Sequence, residues 1–456
     1  MKRKLFVLVF TCLFLGGCSF NKFLPGSSIS ESSSSESSAV ISSEHSSSSE
    51  TSSDSSEVIS SDEPSSLESY SSDESSQELS SEEHSSHEHS SDETSHDHSG
   101  SESSSELESS SGSSSNEESS GSESSHDHSH PESITSGAMS INFLELGNYH
   151  TGDSVFIKAG DTDILIDAGS IKSSSTTIKN FIDQYCTDGK LEYVIATHAH
   201  QDHIAGFVGS NAAPGIFKTF KIGTLIDFAL TNSTSALYND YCTLRESKLA
   251  SGDIEHHFTA RECIEETGEA KKEYTLAESI TMTILDQRYY YENSSDENNY
   301  SVCTLFTQGS NHYLFTGDLE KEGEESLVEK NTLPHVQLFK AGHHGSKTSN
   351  TNKLLSVITP EVVCVCCCAG NDEYTKAVDN QFPTQQTIDN VAKYTDQIFV
   401  TTVTTDGHTG YESMNGNITF YCATGTTYTV TGSNNSTILK ETAWFKENRT
   451  WPSGGK

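Results

Sequence analysis

A serine- and acid-rich stretch, from about Ser19 to Ser136, sets the first limit on what this 456-residue chain can fold into. No lysine or arginine occurs between Lys22 and Lys158, so the negative charge of the stretch is uncompensated. Such a composition cannot bury enough apolar surface to offset the conformational entropy lost on folding. We therefore predict a disordered linker over residues 19–136, which as a flexible coil would span roughly 55–65 Å.

Histidines recur within this predicted linker, interleaved with glutamate and aspartate. Two interpretations remain open. They are incidental members of a solvated segment, or they capture zinc loosely, as short histidine-rich tracts do, and the tether then raises the metal concentration near the rest of the chain. The clustered histidines are His84, His87, His89, His96, His98, His126, His128 and His130.

The first eighteen residues have the build of an export signal. A basic start is followed by an apolar run from Leu5 to Leu15, which is too short to span a bilayer. The sequence Leu15-Gly16-Gly17-Cys18 resembles the cleavage site of bacterial lipoproteins, which implies that Cys18 becomes the acylated N-terminus. We therefore expect an extracytoplasmic protein that is anchored to the bacterial cell membrane by lipid.

Residues 138–456 have the composition of a globular domain and are numerous enough for one sizeable core. Apolar alternation predicts strands over 141–146, 154–158, 164–166, 191–197, 281–285, 301–307, 312–316, 336–341, 360–368, 398–404 and 418–422. Helical spacing predicts helices over 175–186, 323–330, 350–357 and 385–394. Two sheets with helices outside them account for this order of elements.

Charge and cysteine content narrow the possible partners of this domain. The whole chain carries a formal charge of −39, and acidic residues outnumber lysine and arginine within 138–456 as well. Nucleic acid therefore enters only as a possible substrate, because binding it depends on cationic contacts. Four cysteines crowd into Cys364–Cys368, which we interpret as a buried strand, with a soft-metal cluster as the alternative.

The stretch Thr197–His203 holds four potential metal ligands directly after the apolar run Val194-Ile195-Ala196. In an extended segment, side chains two residues apart point the same way, so His198 and His200 can bind one ion. Asp202 and His203 follow where the chain turns, and they can face a second ion. Imidazole and carboxylate groups are ligands that zinc accepts, and manganese does so with more oxygen.

Three further stretches could complete a metal site. Asp318 ends one predicted strand, where its carboxylate could bridge two cations. His343 and His344 follow another predicted strand. Asp167, at the end of Leu165-Ile166, could accept a hydrogen bond that orients a ligating imidazole.

These motifs together resemble the metallo-beta-lactamase superfamily, and more specifically its branch with the hydrolase domain of competence proteins and the surface phosphorylcholine esterases. The resemblance runs from about Ile141 to Tyr421 and implies an α+β fold, the αββα sandwich, with two metal ions held at one edge. The motifs are Gly152–Ser154, Ile164–Gly169, Thr197–Gly206, Asn299–Val302, Thr316–Asp318 and Gly342–Ser346.

The resemblance also implies roles. His198 and His200 bind the first ion, Asp202 and His203 bind the second, and Asp318 bridges them. One of the pair His343 and His344 completes the second site while the other lines the pocket, and Asp202 and His344 are the expected catalytic groups.

Two departures from the family pattern concern the first ion and the pocket. The usual further histidine between the first motif and the bridging aspartate has no counterpart in a matching context, since only His256, His257 and His312 occur there. Phe382-Pro383 stands where competence-type domains often have His-Pro.

The expected function is a cell-surface hydrolase that uses two divalent ions, zinc or manganese, to activate water. A phosphoester or phosphodiester is the expected substrate, with nuclease-like and phosphorylcholine-esterase-like forms. One alternative is a metal-capturing surface lipoprotein that works through its histidine-rich linker. The other is a binding module with vestigial metals. No protein partner is implied.

Overall fold

The computed structural model describes residues 137–456. The predicted signal segment, its acylated Cys18 and the predicted linker lie outside the described residues. The strands are β1 (Met139–Phe143), β2 (Val155–Ala159), β3 (Thr162–Ile166), β4 (Lys190–Ile195), β5 (Lys221–Asp227), β6 (Ile254–Thr259), β7 (Glu273–Ala277), β8 (Ile280–Leu285), β9 (Cys303–Gln308), β10 (Asn311–Phe315), β11 (Leu338–Lys340), β12 (Val362–Ala369), β13 (Ile398–Thr404), β14 (Tyr411–Ser413), β15 (Ile418–Cys422) and β16 (Tyr428–Gly432). The helices are α1 (Ser174–Ile182), α2 (Gln201–Val208), α3 (Ile216–Thr219), α4 (Ala236–Ser251), α5 (Ala260–Glu265), α6 (Lys321–Lys330), α7 (Asn352–Ile358), α8 (Gln385–Val391) and α9 (Ala443–Asn448).

The strands form two eight-stranded sheets. The first has the order β16-β15-β1-β2-β3-β4-β5-β6, and the second has the order β14-β13-β12-β11-β10-β9-β8-β7. The neighbours from β3 to β6 are parallel, as are those from β10 to β13. Each sheet therefore has a parallel part whose carboxyl ends lie at one edge, which is where α/β sheets bind ligands.

The sheets pack face to face, and helices cover their outer faces. Residues of both sheets, such as Phe143 and Phe315, share one buried core, with ring centroids 6.1 Å apart. Phe207 and Tyr241 belong to the same core from the helical side of the first sheet, and Leu354 packs in a second core on the outer face of the second sheet. This arrangement confirms the expected α+β sandwich.

The cysteine-rich stretch is the central strand β12, and every one of its residues is buried. Cys364 and Cys366 face the core between the sheets, while Val363 and Val365 face the helical side. All nine cysteines within residues 137–456 are free thiols. The interpretation of this stretch as a buried strand is confirmed, since both faces of the strand pack in apolar cores.

The observed ends of strands and helices differ from the predicted ends mainly next to the loops that carry polar side chains. Strand β9 begins at Cys303 rather than at Ser301, because the Val302 backbone N–H donates to Thr197 O at 2.9 Å and not to a sheet neighbour. Helix α1 ends at Ile182, four residues before the predicted end at Cys186. Within residues 137–456, no helix is both long and apolar enough to cross a bilayer.

Candidate metal centre

Four strand ends deliver the predicted ligands to one edge of the sandwich. Asp167 follows β3, and His198 to His203 lie between β4 and the first turn of α2. Asp318 follows β10, and the two histidines of Gly342–Gly345 follow β11. Helix α2 approaches β3 closely because Gly206 has no side chain, and a Cβ there would lie 2.3 Å from Ala168 O.

Four of these side chains converge on one point. The ligand atoms of Asp202, His203, Asp318 and His344 all lie within 4.8 Å of one another. Asp318 Oδ2 is 3.1 Å from His203 Nε2 and 3.1 Å from His344 Nε2, and Asp202 Oδ2 is 3.3 Å from His344 Nε2. His344, His203 and Asp318 are buried, whereas Asp202 is partly exposed.

The polar atoms of this cluster fit a divalent cation. The buried His344 Nε2 makes no hydrogen bond within the described residues, although it lies beside two carboxylate oxygens. An unpaired buried nitrogen is costly, and a cation shared with the carboxylates would satisfy it. Two imidazoles with two carboxylates are a ligand set that zinc and manganese accept.

The other ring nitrogens of the two histidines are fixed by the protein. His203 Nδ1 lies 2.7 Å from Asp167 Oδ2, and His344 Nδ1 lies 2.9 Å from Cys366 O. Asp167 is itself held, because Thr197 donates to it through both its backbone N–H and its hydroxyl, each at 2.8 Å. These contacts point Nε2 of each histidine into the cluster.

The predicted first-ion ligands form a separate pair. His198 Nε2 and His200 Nδ1 are 3.0 Å apart, and His198 Nδ1 lies 3.2 Å from Thr197 Oγ1. Within residues 137–456, no third ligating side chain groups with both of them. The three histidines considered from the sequence lie elsewhere: His257 contacts Asp227, His256 contacts Glu269, and His312 contacts Thr307.

The structure separates the two members of the histidine pair. His344 joins the cluster, whereas His343 Nε2 is 4.0 Å from Asp318 Oδ2. His343 Nδ1 lies 3.1 Å from Thr348 Oγ1 and 3.5 Å from Glu320 Oε1, toward the rim. Both histidines have positive φ, 48° and 53°, a backbone conformation that the surrounding contacts must hold.

Two charged residues, Lys340 and Asp153, for which no role was predicted, complete the centre. Lys340, only 2% exposed, contacts Asp153 Oδ2 through Nζ and lies 3.5 Å from Asp318 Oδ1. Asp153 Oδ1 lies 3.2 Å from His344 Nδ1. An acid before a strand and a lysine ending a strand are weak sequence signals by themselves, so their pairing was missed.

Electrostatics within the centre favour charged carboxylates. Burial opposes ionisation of Asp318, but His203, His344 and Lys340 outweigh it and hold its pKa well below its usual range. His344 and His203 do the same for the pKa of Asp202. Burial, together with the neighbouring His203 and His200, lowers the pKa of His198, so its imidazole stays neutral as a metal ligand requires.

Glu297, also absent from the predicted site, supports the segment between the first two histidines. Its Oε1 accepts hydrogen bonds from the Ala199 backbone N–H at 3.2 Å and from Thr231 Oγ1 at 2.8 Å. Its Oε2 accepts from the Asn232 backbone N–H at 2.6 Å. One carboxylate thus ties the loop after β5 to the histidine motif.

A second buried glutamate fixes the histidine-pair turn from outside. Glu324 on α6 accepts from the backbone N–H groups of Asn350 at 2.6 Å and Thr351 at 2.8 Å. Asn350 Oδ1 accepts from the Gly342 N–H at 2.8 Å, and its Nδ2 donates to Gly342 O at 2.9 Å. The turn that holds His344 is therefore anchored by a carboxylate that does not touch the cluster.

Glu324 should give the domain a measurable pH dependence. Burial, opposed by the two backbone donors, raises its pKa from the usual 4.5 to about 7. Between these values the folded state retains a proton that the unfolded chain releases, so the free energy of unfolding falls as the pH rises, by on the order of 3 kcal/mol. Urea unfolding from pH 4.5 to 7.5 should show this decline. Glu324→Gln should lack the part of this decline that comes from the Glu324 carboxyl. If the free energy of unfolding changed equally with pH in the two proteins, Glu324 would not be its source.

Part of the centre lies in a segment that matches a family model. Residues 148–209 match the family model of the metallo-beta-lactamase superfamily, and this segment includes Asp153, Asp167 and the whole His198–His203 motif. This match agrees with the superfamily that the motifs indicated.

The matches among characterised proteins fit the competence-protein branch. Competence protein ComA of Neisseria gonorrhoeae is 24% identical over 234 residues, which are 51% of this chain and 27% of the relative. Recombination protein 2 of Haemophilus influenzae is 38% identical over 69 residues, which are 15% of this chain and 8% of the relative. This chain therefore spans less than a third of the length of either relative.

Two solved structures also show similarity over part of this chain. The metallo-beta-lactamase fold protein YhfI from Bacillus subtilis is 12% identical with a TM-score of 0.35, covering 60% of this chain and all of that one. The short form of human tRNase Z is 14% identical with a TM-score of 0.32, covering 59% and 94%.

Proposed function

We propose that this chain is a lipid-anchored hydrolase of the outer cell surface, and that it cleaves phosphoesters or phosphodiesters with two divalent metal ions. The observation that carries the proposal is the convergence of Asp202, His203, Asp318 and His344, in which the buried His344 Nε2 has no hydrogen-bond partner within the described residues. The pair His198 and His200 in the same loop would hold the other ion.

The residues of the chain supply binding, orientation and charge for this chemistry. Two divalent ions, when bound by these residues, would supply hydroxide near neutral pH and polarise the oxygen of the substrate. Asp167 and the carbonyl of Cys366 keep Nε2 of His203 and His344 aimed at the centre. Asp318 directs Oδ2 to both histidines, where it would bind the metal with them, and its Oδ1 lies 3.5 Å from Lys340 Nζ.

Similarity to known proteins supports one substrate class, and the net charge of the chain restricts which members of that class can approach. Similarity to competence proteins supports a phosphodiester substrate, and nucleic acid is one form of it. The chain carries a formal charge of −39, which opposes the approach of a polyanion unless the site face is locally positive. Small phosphoesters, such as phosphorylcholine-type esters, avoid that repulsion, and we propose them alongside nucleic acid.

A panel of chromogenic substrates tests the proposal. Phosphomonoesters, phosphodiesters and lactones should be assayed with zinc, with manganese and with a chelator. We expect turnover of a phosphorus ester that the chelator abolishes and either metal restores. Metal-dependent turnover of lactones alone would contradict the substrate class, and no turnover of any substrate would contradict the hydrolase.

The proposed location has its own test. Cys18→Ala should release the protein from the membrane fraction or leave its precursor unprocessed, because acyl chains on this residue are the proposed anchor. Cys12→Ala, a cysteine within the apolar run, is the matched control and should fractionate like wild type. Unchanged fractionation and processing of the Cys18 variant would remove the lipid anchor from the proposal.

A further inference from the structure

The segment from Asn371 to Pro383, which we call the mouth loop, overhangs the open side of the metal centre. Most members of the centre are sealed, since the side chains of His203, Asp318 and His344 are at most 2% exposed. The Asp202 side chain is 14% exposed, so a substrate must approach along it. Tyr374 of the mouth loop stands at this side and is 54% exposed.

The hydroxyl of Tyr374 reaches the centre although its ring faces solvent. It donates a hydrogen bond to Asp202 Oδ2 at 2.7 Å, and the same oxygen lies 3.3 Å from His344 Nε2. Only Asp202 Oδ2 therefore separates the hydroxyl from His344 Nε2. The Tyr374 ring packs on Phe382, with centroids 5.6 Å apart, and Phe382 packs on His344 at 5.9 Å.

Contacts at both ends hold the mouth loop in place. Next to Tyr374, Glu373 accepts from the Thr151 backbone N–H at 2.9 Å and contacts His150 Nδ1. At the far end, the buried Arg449 donates to three carbonyls, those of Val378, Gln381 and Pro383, at 3.1, 2.7 and 3.0 Å. Tyr374 is thus presented by an anchored loop, as a positioned functional group requires.

The Lys340 ammonium and two hydroxyl groups near the centre already contact carboxylates or the backbone. Lys340 lies beneath the ligands, in contact with Asp153 and Asp318. The Thr197 hydroxyl donates to Asp167 at 2.8 Å, and Ser301 Oγ accepts from the Asp318 N–H at 3.0 Å. The Tyr374 hydroxyl can rotate about its C–O bond away from Asp202, so it is free to donate to an incoming oxygen.

We propose that Tyr374 contacts the substrate: its hydroxyl donates a hydrogen bond to an oxygen of the phosphoryl group, and its ring forms the wall of the site together with Phe382. This inference rests on the proposed phosphoester function. A neutral donor aimed at the site of developing negative charge stabilises the transition state and forms or breaks no covalent bond. Asp202 would then be released from Tyr374 as substrate enters.

The test compares Tyr374→Phe with Tyr421→Phe in the full-length, zinc-loaded protein. The first change keeps the ring and its packing on Phe382, and the second makes the same change on β15. We expect Tyr374→Phe to lower kcat/KM by on the order of 100-fold and to weaken binding of inorganic phosphate, measured by calorimetry, by roughly tenfold. The zinc content, the zinc affinity in competition with a chelator, and the melting temperature should match wild type. Tyr421→Phe should match wild type in every measurement.

Two outcomes would overturn the proposal. Wild-type kcat/KM and phosphate affinity in Tyr374→Phe would show that the hydroxyl does not meet the substrate. Weakened zinc binding, with activity and phosphate affinity restored at saturating zinc, would show that Tyr374 acts only through Asp202. Failure of the proposed function can be told apart from failure of the Tyr374 proposal. In the first case wild type would turn over no substrate, and the phosphate and zinc measurements would still compare Tyr374→Phe with Tyr421→Phe.

Discussion

Replacing Asp318 by alanine should abolish hydrolysis and reduce the bound metal toward one ion per chain or fewer. Its Oδ2 lies 3.1 Å from both His203 Nε2 and His344 Nε2, so one carboxylate serves the centre of the cluster. Without it, two close cations would repel each other with no anion between them. Elemental analysis and turnover of the best substrate should be measured on the same preparation.

Two further variants make the Asp318 experiment decisive. His203→Ala removes a ligand of one ion only, so it should lose one ion and on the order of several kcal/mol of transition-state stabilisation. Asp253→Ala is the matched control, because it removes a carboxylate in the turn before β6. It should retain both ions and the wild-type rate. Because every protein carries the same linker, its histidines add equally to each metal count. Full metal content and near-normal rates in Asp318→Ala and His203→Ala would refute the dinuclear centre.

The positions of the ligands were predictable because each stands where an apolar run ends. Asp167, His198 and Asp318 follow buried strands, and the carboxyl ends of parallel strands meet at one sheet edge. Strands β13 and β15 were predicted with their observed ends. Local alternation therefore located the strands that lead to these residues, whereas the resemblance to the metallo-beta-lactamase superfamily implied the sandwich and the edge at which the site lies.

Groups joined only by tertiary contacts were not predictable from local pattern. Lys340 meets Asp153 across the two sheets, and Glu297 reaches Ala199 from a distant loop. Neither spacing nor periodicity links such residues. The choice between His343 and His344 also depended on tertiary contacts, since His344 lies beside Asp318 whereas His343 contacts Thr348.

The region between α2 and β8 escaped prediction for a different reason. Helix α4 has sixteen residues, of which only Tyr241 is fully buried, so its apolar stripe is too sparse for the 3.6-residue period to emerge. Strand β6 has exposed residues at successive positions, which breaks the two-residue alternation. Both elements form because they pack on β5 and its neighbours, and that information is not local.

Replacing Lys340 by methionine should destabilise the metal-free domain by about 3–5 kcal/mol. The change keeps the length of the side chain but leaves the buried carboxylates of Asp153 and Asp318 without their shared ammonium. Burial opposes protonation of Lys340, yet Asp153 and Asp318 outweigh it and raise its pKa, so the charged form is the one lost. Urea unfolding at neutral pH in the presence of a chelator measures the effect.

Bound metal should reduce this loss, because a divalent cation beside Asp318 supplies positive charge to the same carboxylates. The difference between wild type and Lys340→Met should therefore be smaller in zinc than in chelator. The double variant Lys340→Met with Asp153→Asn removes one of the unpaired acids, so it should recover part of the stability, and the double-mutant cycle then gives the coupling energy. If Lys340→Met unfolded like wild type without metal, the ammonium would not be the counterion of the centre. If zinc did not narrow the difference, Lys340 and the metal would not share the Asp318 carboxylate.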